Sequence, residues 1–367
     1  MKKSFLVICL MLTCFFSFGV IASAQSDIPE SALKVDYKAE IQELKDNELN
    51  YELSKFSELN KADRINYSKQ LSLNTSNEAI FKETLQDLLD TAYVYYLDEN
   101  GNLFDKDGYI DTFDISGNQE ENALVTSLSQ TVSSINGADT GAFIRQLSLT
   151  GYRGIYSQML LPTNANSTSD YISMTNGEAW LYNRLNYSNP TSSDFWDMEA
   201  GLHYSNTYDN YAAYIKVDGG GIYTKDLNGD TPPRFKSDTT ITQNLRYDGS
   251  KIRYYVNGTN KYNTYQAIIF GVQKTFSDTS KLRVGKVTGL AYDNYDGTQS
   301  VGKINLTYSN VKFLKNDGTE VTPTSSLLDS LVINNITYGT VDWPAEKITK
   351  TPSTGSIGTQ THTINAQ

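Results

Sequence analysis

Two hydrophobic patterns divide the chain. From about Ser31 to Ile135, apolar residues recur mainly at the spacing of amphipathic helices. The clearest helix should follow Thr75-x-x-Glu78, which has the form of a capping box, and should end at Gly101. Its apolar stripe consists of Phe81, Leu85, Leu88, Leu89, Ala92 and Tyr96. The other elements predicted here are helices over Glu120 to Ile135 and over the charged stretch Asp36 to Asp63, and a short hairpin around Asn100 to Phe113.

A different pattern runs from near Ser148 to about Leu314. Gly and Asn/Asp turn signals recur about every ten residues between runs that alternate apolar and polar positions. Closely spaced strands without a helical period between them predict an antiparallel sandwich or barrel. The expected strands include Phe195 to Tyr204, Tyr211 to Val217, Ile252 to Asn257, Lys281 to Val287 and Gly302 to Phe313. The Thr/Ser/Gly-rich stretch after Lys347 is expected to be loose.

The first residues have the form of a secretory signal peptide. Lys2 and Lys3 precede a nearly continuous apolar run, and Ala22-Ser23-Ala24 supplies a cleavage site. The alternatives are a membrane anchor and a lipoprotein cut before Cys14. The expected organisation is a signal peptide (1–24), a helical N-terminal region (25–147), a β-sandwich domain (148–322) and a C-terminal extension with a loose tail (323–367).

Composition and charge limit the classes of partner that the chain is expected to bind. The formal net charge is −11, which disfavours nucleic acid and anionic membrane surfaces but not neutral glycans. Both cysteines lie within the predicted signal peptide, so no disulfide is expected in the secreted chain. The 26 tyrosines suit β structure with an adaptable polar surface. We therefore expect an extracellular protein without membrane insertion after signal cleavage.

The strand Phe195 to Tyr204 carries the main candidate chemistry. Side chains alternate between the two faces of a strand, so Asp197, Glu199 and His203 should share one face with Phe195. Trp196 and its alternate neighbours should enter the core. Neighbouring carboxylates repel, which raises the pKa of one of them and prepares it for acid–base work. The alternative is a solvated face of a half-buried strand without a ligand.

A second segment, Arg246 to Gly258, reads as strand, Asp248-Gly249 turn, strand and Asn257-Gly258 turn. Together with the Asp-x-Glu strand, its Ile-Arg-Tyr-Tyr-Val-Asn-Gly sequence resembles the concanavalin A-like lectin/glucanase superfamily. The segments beginning at Gly151 and at Asp197 also resemble the uncharacterised, exported YrpD-like family. The superfamily resemblance implies a jelly roll with a concave glycan-binding sheet. It also implies a helper role for Asp197 and an acid/base role for Glu199.

The same resemblance argues against retaining glycosidase chemistry. The position of the nucleophile is occupied by Phe195, and retaining hydrolysis needs two closely spaced carboxyl groups. Binding has simpler requirements, namely aromatic faces and polar groups for hydroxyls. The predicted ligand-binding residues are Phe195, Asp197, Glu199, His203, Tyr214, Arg253 and Tyr255.

Calcium is a secondary candidate. Asp226, Asn228 and Asp230 alternate like calcium ligands, but Thr231 and Ser237 stand where an EF-hand has its glycine and glutamate. The Asp98-x-Asn100-x-Asn102 sequence departs from the pattern similarly, and such clusters commonly make turns. Two histidines and no later cysteine argue against zinc. The leading prediction is non-catalytic binding of a neutral glycan. The alternatives are a polysaccharide hydrolase or lyase using Glu199, with Asp197 and His203, and a structural or partner-binding surface protein.

Overall fold

The structure is a computed structural model that describes residues 28–115, 141–164, 169–189, 194–218, 220–224, 232–292, 295, 298–330, 332–333, 336–337 and 344–367. The predicted signal peptide, the predicted helix over 120–135 and the predicted calcium loop lie outside these ranges. The chain divides into two compact units, Met1–Val35 and Asp36–Gln367. Within the first, the described residues include a 3₁₀ turn at Ala32–Lys34. All elements below belong to the second.

Three α-helices lie in the described part of the N-terminal region: α1 (Tyr37–Glu58), α2 (Lys61–Gln70) and α3 (Glu78–Asp90). Their first turns are capped by the side chains of Asp36, Asn60 and Asn77, which accept hydrogen bonds from backbone N–H groups. The charged stretch after Asp36 is helical, as predicted, but it is interrupted at Leu59 and Asn60, so two helices stand where one was expected. The predicted Thr75 cap is wrong, because Asn77 caps α3 and the Thr75 hydroxyl instead accepts a hydrogen bond from the Asn77 N–H.

The predicted continuation of α3 towards Gly101 is also wrong. The helix ends at Asp90, and Tyr93–Leu97 forms strand β1, which pairs in parallel with the later strand Tyr265–Gln273. The run Tyr-Val-Tyr-Tyr-Leu is rich in residues that favour strands. Pairing with a distant strand therefore outweighs the helical spacing of Ala92 and Tyr96. The hairpin predicted around Asn100 to Phe113 is present as Asn102–Asp105 and Gly108–Thr112.

The strands of the described ranges form two large sheets and one small pair. Sheet I contains β1 (Tyr93–Leu97), β2 (Asn102–Asp105), β3 (Gly108–Thr112), β5 (Tyr152–Leu160), β6 (Tyr171–Met174), β12 (Thr240–Tyr247), β13 (Lys251–Thr259), β14 (Tyr265–Gln273), β16 (Gly302–Lys315), β17 (Glu320–Val321), β21 (Ile348–Thr351) and β22 (Gln360–Ala366). Sheet II contains β4 (Gly141–Ser148), β7 (Glu178–Asn189), β8 (Asp194–Ser205), β9 (Asn210–Val217), β10 (Gly220–Tyr223), β11 (Phe235–Lys236), β15 (Leu282–Ala291) and β18 (Leu328–Asp329). The small pair is β19 (Val332–Ile333) and β20 (Ile336–Thr337).

The two large sheets are predominantly antiparallel, and the protein is mainly β, as predicted. Sheet I runs in the order β21-β22-β16-β5-β12-β13-β14-β1-β2-β3, with β17 and β6 also paired to β16. Sheet II runs β10-β9-β8-β7-β15-β4-β18, with β11 paired to β9. The inner faces of both sheets contribute to one hydrophobic core. Burial of these apolar faces against each other drives the stacking of the sheets.

The outer face of sheet I is covered by helix α1. Leu44 packs onto Gly271 of β14, where an added Cβ would lie 2.4 Å from the Leu44 Cδ1 atom. Glu48 of α1 forms a buried ion pair with Arg246 of β12. Helix α1 therefore forms a layer on the outer face of sheet I.

Three further sequence predictions need correction. The tail after Lys347 is not loose, because β22 pairs with β16 along Gln360–Ala366. The side chain of His362 in β22 faces inward and is fully buried, and its ring nitrogens form hydrogen bonds with Thr288 and Gln360. Because this inward position is polar, the sequence of β22 does not show the apolar alternation that indicates a strand. The Asn257-Gly258 pair is inside β13 and makes no turn. Strand β4 shows that sheet II begins before the predicted boundary at Ser148. Among the described residues, no helix combines the length and apolarity needed to cross a membrane.

Candidate functional site

The candidate site lies on the outer face of sheet II and is centred on β8. The alternation predicted for this strand is confirmed. The side chains that enter the core are those of Trp196, Met198, Ala200, Leu202 and Tyr204. Asp197 and Glu199 point to the other face, and 15% and 19% of their side-chain surfaces are exposed. The two carboxylates are therefore half-buried side by side on one strand.

Arg184 of the neighbouring strand β7 holds both carboxylates. Its Nε and Nη2 atoms donate to the two oxygens of Asp197 at 2.6 and 2.5 Å, and its Nη1 donates to Glu199 Oε1 at 3.3 Å. The register explains this contact, because Arg184 stands directly opposite Glu199. Lys216 of β9 stands opposite Glu199 on the other side. The bidentate guanidinium bond fixes the Asp197 carboxylate in orientation as well as in position.

The protonation of Asp197 is set by opposing effects. Burial raises the pKa of Asp197 to about 6, and the negative charge of Glu199 acts in the same direction. The positive charge of the Arg184 guanidinium and its hydrogen bonds to Asp197 act against the rise. The sequence prediction that one of the neighbouring carboxylates has a raised pKa is consistent with this balance.

Aromatic side chains extend the same face. The Trp180 ring of β7 lies 4.4 Å from the His203 ring and 4.8 Å from the Tyr214 ring, measured between centroids. Trp180 is half-buried, whereas Tyr214 is buried in a small apolar cluster on this face. Gly201 lies between Tyr214 and Tyr182 in the strand register, and an added Cβ would lie 2.4 Å from the Tyr182 Cβ. The glycine therefore lets the two tyrosines pack closely over the sheet.

His203 and Phe195 mark the two ends of the β8 face. His203 is largely buried, and its Nε2 lies 3.5 Å from the exposed Glu178 carboxylate. Phe195 is half-buried, two residues before Asp197. The structure thus brings together Phe195, Asp197, Glu199, His203 and Tyr214 on one sheet face, as predicted.

Arg253 and Tyr255 do not belong to this site, so their predicted role as ligand contacts alongside Asp197 is wrong. They share a face of β13, as expected, but β13 lies in sheet I and this face is turned towards the helical layer. Arg253 bonds Asp248 at 2.9 Å, and burial lowers its pKa to about 10. Tyr255 is fully buried and accepts a hydrogen bond from Asn257 at 2.7 Å. The polar contacts of both residues are therefore made within sheet I and its turns.

The predicted calcium loop at Asp226, Asn228 and Asp230 lies outside the described residues, so calcium binding there stays a prediction. In the ranges the structure covers, no three His, Cys, Asp or Glu side chains cluster in a way that can hold a metal ion. The Asp98 carboxylate instead accepts hydrogen bonds from the N–H groups of Asn100 and Asn102, each at 2.8 Å. This sequence therefore makes a turn.

Sequence reasoning missed the contribution of β7, which supplies Trp180, Tyr182, Arg184 and Asn186. A signal was present, because these four residues alternate with Ala179, Leu181, Asn183 and Leu185. The short interval before β8 also favours a hairpin, which places the polar positions of β7 beside those of β8. Reading the two strands as a pair would have found Arg184.

A cavity of about 280 Å³ lies on the interior side of β8. Trp196 and Val217 of sheet II and the segment after β14 in sheet I contribute to its lining. Lys274 Nζ lies 5.4 Å from the centroid of the Trp196 ring. The cavity opens on the opposite side of β8 from the carboxylates and is separate from the candidate site.

Comparisons with known proteins identify no family for this chain. No family model matches the chain, and no curated protein matches it. Among solved structures, two complexes of scytalido-glutamic peptidase with transition-state analogues align with TM-scores of 0.36 and 0.35, at 11% and 10% identity. Each alignment covers 63% of this chain and 100% of the peptidase. The enzymatically active domain of bacteriophage CBA120 tailspike protein 2 aligns with a TM-score of 0.23 at 12% identity, over 49% of this chain and 30% of that one. These likenesses are too weak to inform function.

Proposed function

We propose that this is an exported, non-catalytic carbohydrate-binding protein whose ligand lies on the outer face of sheet II. The observation that supports the proposal is one continuous face with half-buried Trp180 beside His203, next to the Arg184 clamp on Asp197 and Glu199. Sugar rings present C–H faces that stack on aromatic rings, and hydroxyls that bond carboxylates and guanidinium groups. The arrangement supplies both kinds of contact. The acidic net charge favours a neutral glycan.

The Arg184 clamp favours binding over catalysis. A general acid must release its proton to the leaving group, and a nucleophile must approach the anomeric carbon. Asp197 has both oxygens engaged by one guanidinium, which restrains its movement and favours its charged form. Fixed, oriented carboxylates suit the recognition of hydroxyl groups. A concanavalin-like jelly roll, the finer form of the fold expected from the sequence, is part of this proposal.

The test is polysaccharide and glycan-array binding by the full chain. Trp180→Ala is expected to weaken binding about tenfold, corresponding to about 1.4 kcal/mol, because it removes the half-buried ring from the face. The matched control is Tyr262→Ala, which removes an exposed ring on a turn of sheet I and should leave the affinity unchanged. Absence of binding by the wild-type chain across neutral glycans, or equal effects of both variants, contradicts the proposal.

A polysaccharide hydrolase or lyase is the second candidate, because the pKa of Asp197 near 6 keeps part of this carboxyl protonated close to neutrality. In that case Glu199 would serve as acid or base, with Asp197 and His203 beside it. Release of reducing ends or unsaturated products, abolished in Glu199→Gln, would establish catalysis. Glycan binding that survives Glu199→Gln without product release supports the first proposal.

A further inference from the structure

A belt of polar side chains crosses the hydrophobic interior between the two sheets. Sheet II contributes Lys286 and Thr288 from β15, Asn183 from β7 and Gln146 from β4, all buried. Sheet I contributes Ser157, Gln243, Tyr308 and His362, also buried. Contacts join the sheets through this belt, because Thr288 Oγ1 lies 3.1 Å from the Tyr308 hydroxyl and 2.9 Å from His362 Nδ1. The belt lies on the opposite face of sheet II from the candidate binding site.

Lys286 is the exceptional member of the belt. Lys286 is 1% exposed, and its Nζ atom makes no hydrogen bond to any described residue. The Nζ atom lies over the Tyr308 ring, 4.9 Å from its centroid. Burial lowers the pKa of Lys286 to about 7, with a smaller effect from the positive charge of Lys350. A large part of this lysine is therefore an uncharged, nucleophilic amine near neutral pH.

Asn183 lies directly across from Lys286 in the pairing of β15 with β7. Side chains at directly opposite positions share a face and have Cβ atoms about 4.5–5.5 Å apart. Asn183 is fully buried, and its Oδ1 accepts a hydrogen bond from the Ser157 hydroxyl at 3.4 Å. Its Nδ2 makes no hydrogen bond to any described residue. The Asn183 carbonyl is therefore polarised by a hydrogen bond, whereas its amide nitrogen, the leaving group of the reaction proposed below, is not held by one.

We propose that Lys286 and Asn183 join in an intramolecular isopeptide bond that cross-links β15 to β7 inside the core. The lysine Nζ attacks the asparagine Cγ, a Cγ–Nζ bond forms and the Cγ–Nδ2 bond breaks. One proton passes from Nζ to the departing nitrogen, and one molecule of ammonia leaves. The Ser157 hydroxyl stabilises the negative charge that develops on Oδ1. The step needs no oxidant or cofactor, and the flexible lysine chain needs only to turn from Tyr308 towards its cross-strand neighbour.

The pairing also explains why Asn183 is the acceptor. Gln146 flanks Lys286 on the other side, in register on β4, and carries an amide as well. Its Oε1 has no hydrogen-bond donor among the described residues, so nothing polarises its carbonyl. Both reacting groups stand in the folded core, where fixed proximity replaces a bimolecular encounter. The cross-link would close a segment that includes β8 and thereby brace the candidate binding face.

The experiment is peptide mapping of the purified full chain by tandem mass spectrometry. A branched peptide is expected that joins the segment around Asn183 to the segment around Lys286, with the mass of both less one ammonia. Trypsin should not cleave after Lys286. Lys286→Met and Asn183→Ala should each abolish the branched peptide, and Ser157→Ala should lower its yield. The matched control is Asn186→Ala, on the outer face of the same strand, which should retain it.

The wild-type map decides the proposal even where a variant fails to fold. Recovery of two linear peptides with intact Asn183 and Lys286 overturns it. A ring-closed asparagine also loses ammonia, but it stays in a linear peptide and persists in Lys286→Met, so that result counts against the cross-link. A branch from Lys286 to Gln146 likewise contradicts the assignment of Asn183.

Discussion

Replacing Glu52 by glutamine removes a negative charge that the fold buries at the boundary between α1 and sheet I. Glu52 is 1% exposed and lies one helical turn after Glu48. Its carboxylate accepts a hydrogen bond from the Tyr67 hydroxyl. Burial raises the pKa of Glu52 to about 7, the charge of Glu48 adds to the rise, and Lys55, Tyr67 and Arg246 oppose it. Glutamine keeps the shape and an acceptor for Tyr67.

The size of the expected gain in stability follows from the protonation equilibria of the Glu52 carboxyl in the unfolded and the folded chain. The carboxyl releases its proton near pH 4.5 in the unfolded chain and near pH 7 in the folded protein. Between these values the folded state binds more protons, so the wild-type free energy of unfolding falls as the pH rises through this window. One pKa unit is about 1.4 kcal/mol, so the full penalty above pH 7 is about 3 kcal/mol. Glu52→Gln should therefore be more stable than the wild type by up to about 3 kcal/mol near pH 8.

The assay is urea unfolding followed by tryptophan fluorescence at several pH values from about 5 to about 8. The advantage of Glu52→Gln should shrink towards pH 5, where the wild-type carboxyl is protonated in the folded state. Glu83→Gln is the matched control, because Glu83 is exposed on α3 and its replacement should give no such pH-dependent gain. A Glu52→Gln variant that is no more stable near pH 8, or whose advantage does not change with pH, refutes the reasoning.

Two further predictions follow, one for each of the large sheets. Arg184→Met leaves two half-buried carboxylates without their shared cation, so it should lower the free energy of unfolding by about 3 kcal/mol. It should also lift the pKa of Asp197 above its value of about 6, which titration of the carboxyl carbon by NMR can measure; unchanged stability and pKa would contradict the clamp. Gly271→Ala adds a Cβ that meets the Leu44 side chain and should cost about 1–3 kcal/mol. Leu44→Ala removes that overlap, so thermal unfolding of the double variant should show coupling, and strictly additive losses would contradict this packing.

The sequence alone determined the local features of this protein. The alternation from Phe195 to Tyr204 correctly separated Trp196 from Asp197 and Glu199, because successive side chains of a strand must point to opposite faces. The stripe through Phe81, Leu85 and Leu89 correctly marked the buried side of α3. Predominantly antiparallel β structure also followed from the spacing of turns. These properties depend on periods of a few residues, which any short segment displays.

The tertiary structure decided which strands become neighbours. Arg253 and Tyr255 lie in sheet I, whereas Asp197 lies in sheet II. All three are residue types that commonly bind glycans, and no local sequence pattern indicates that they belong to different sheets. Tyr93–Leu97 became a strand because β14, more than 160 residues later in the chain, offers it a pairing edge. Arg184 reaches both carboxylates because the β7–β8 register places it opposite Glu199. Such contacts join residues far apart in sequence, and their free energies depend on partners that a local pattern does not contain.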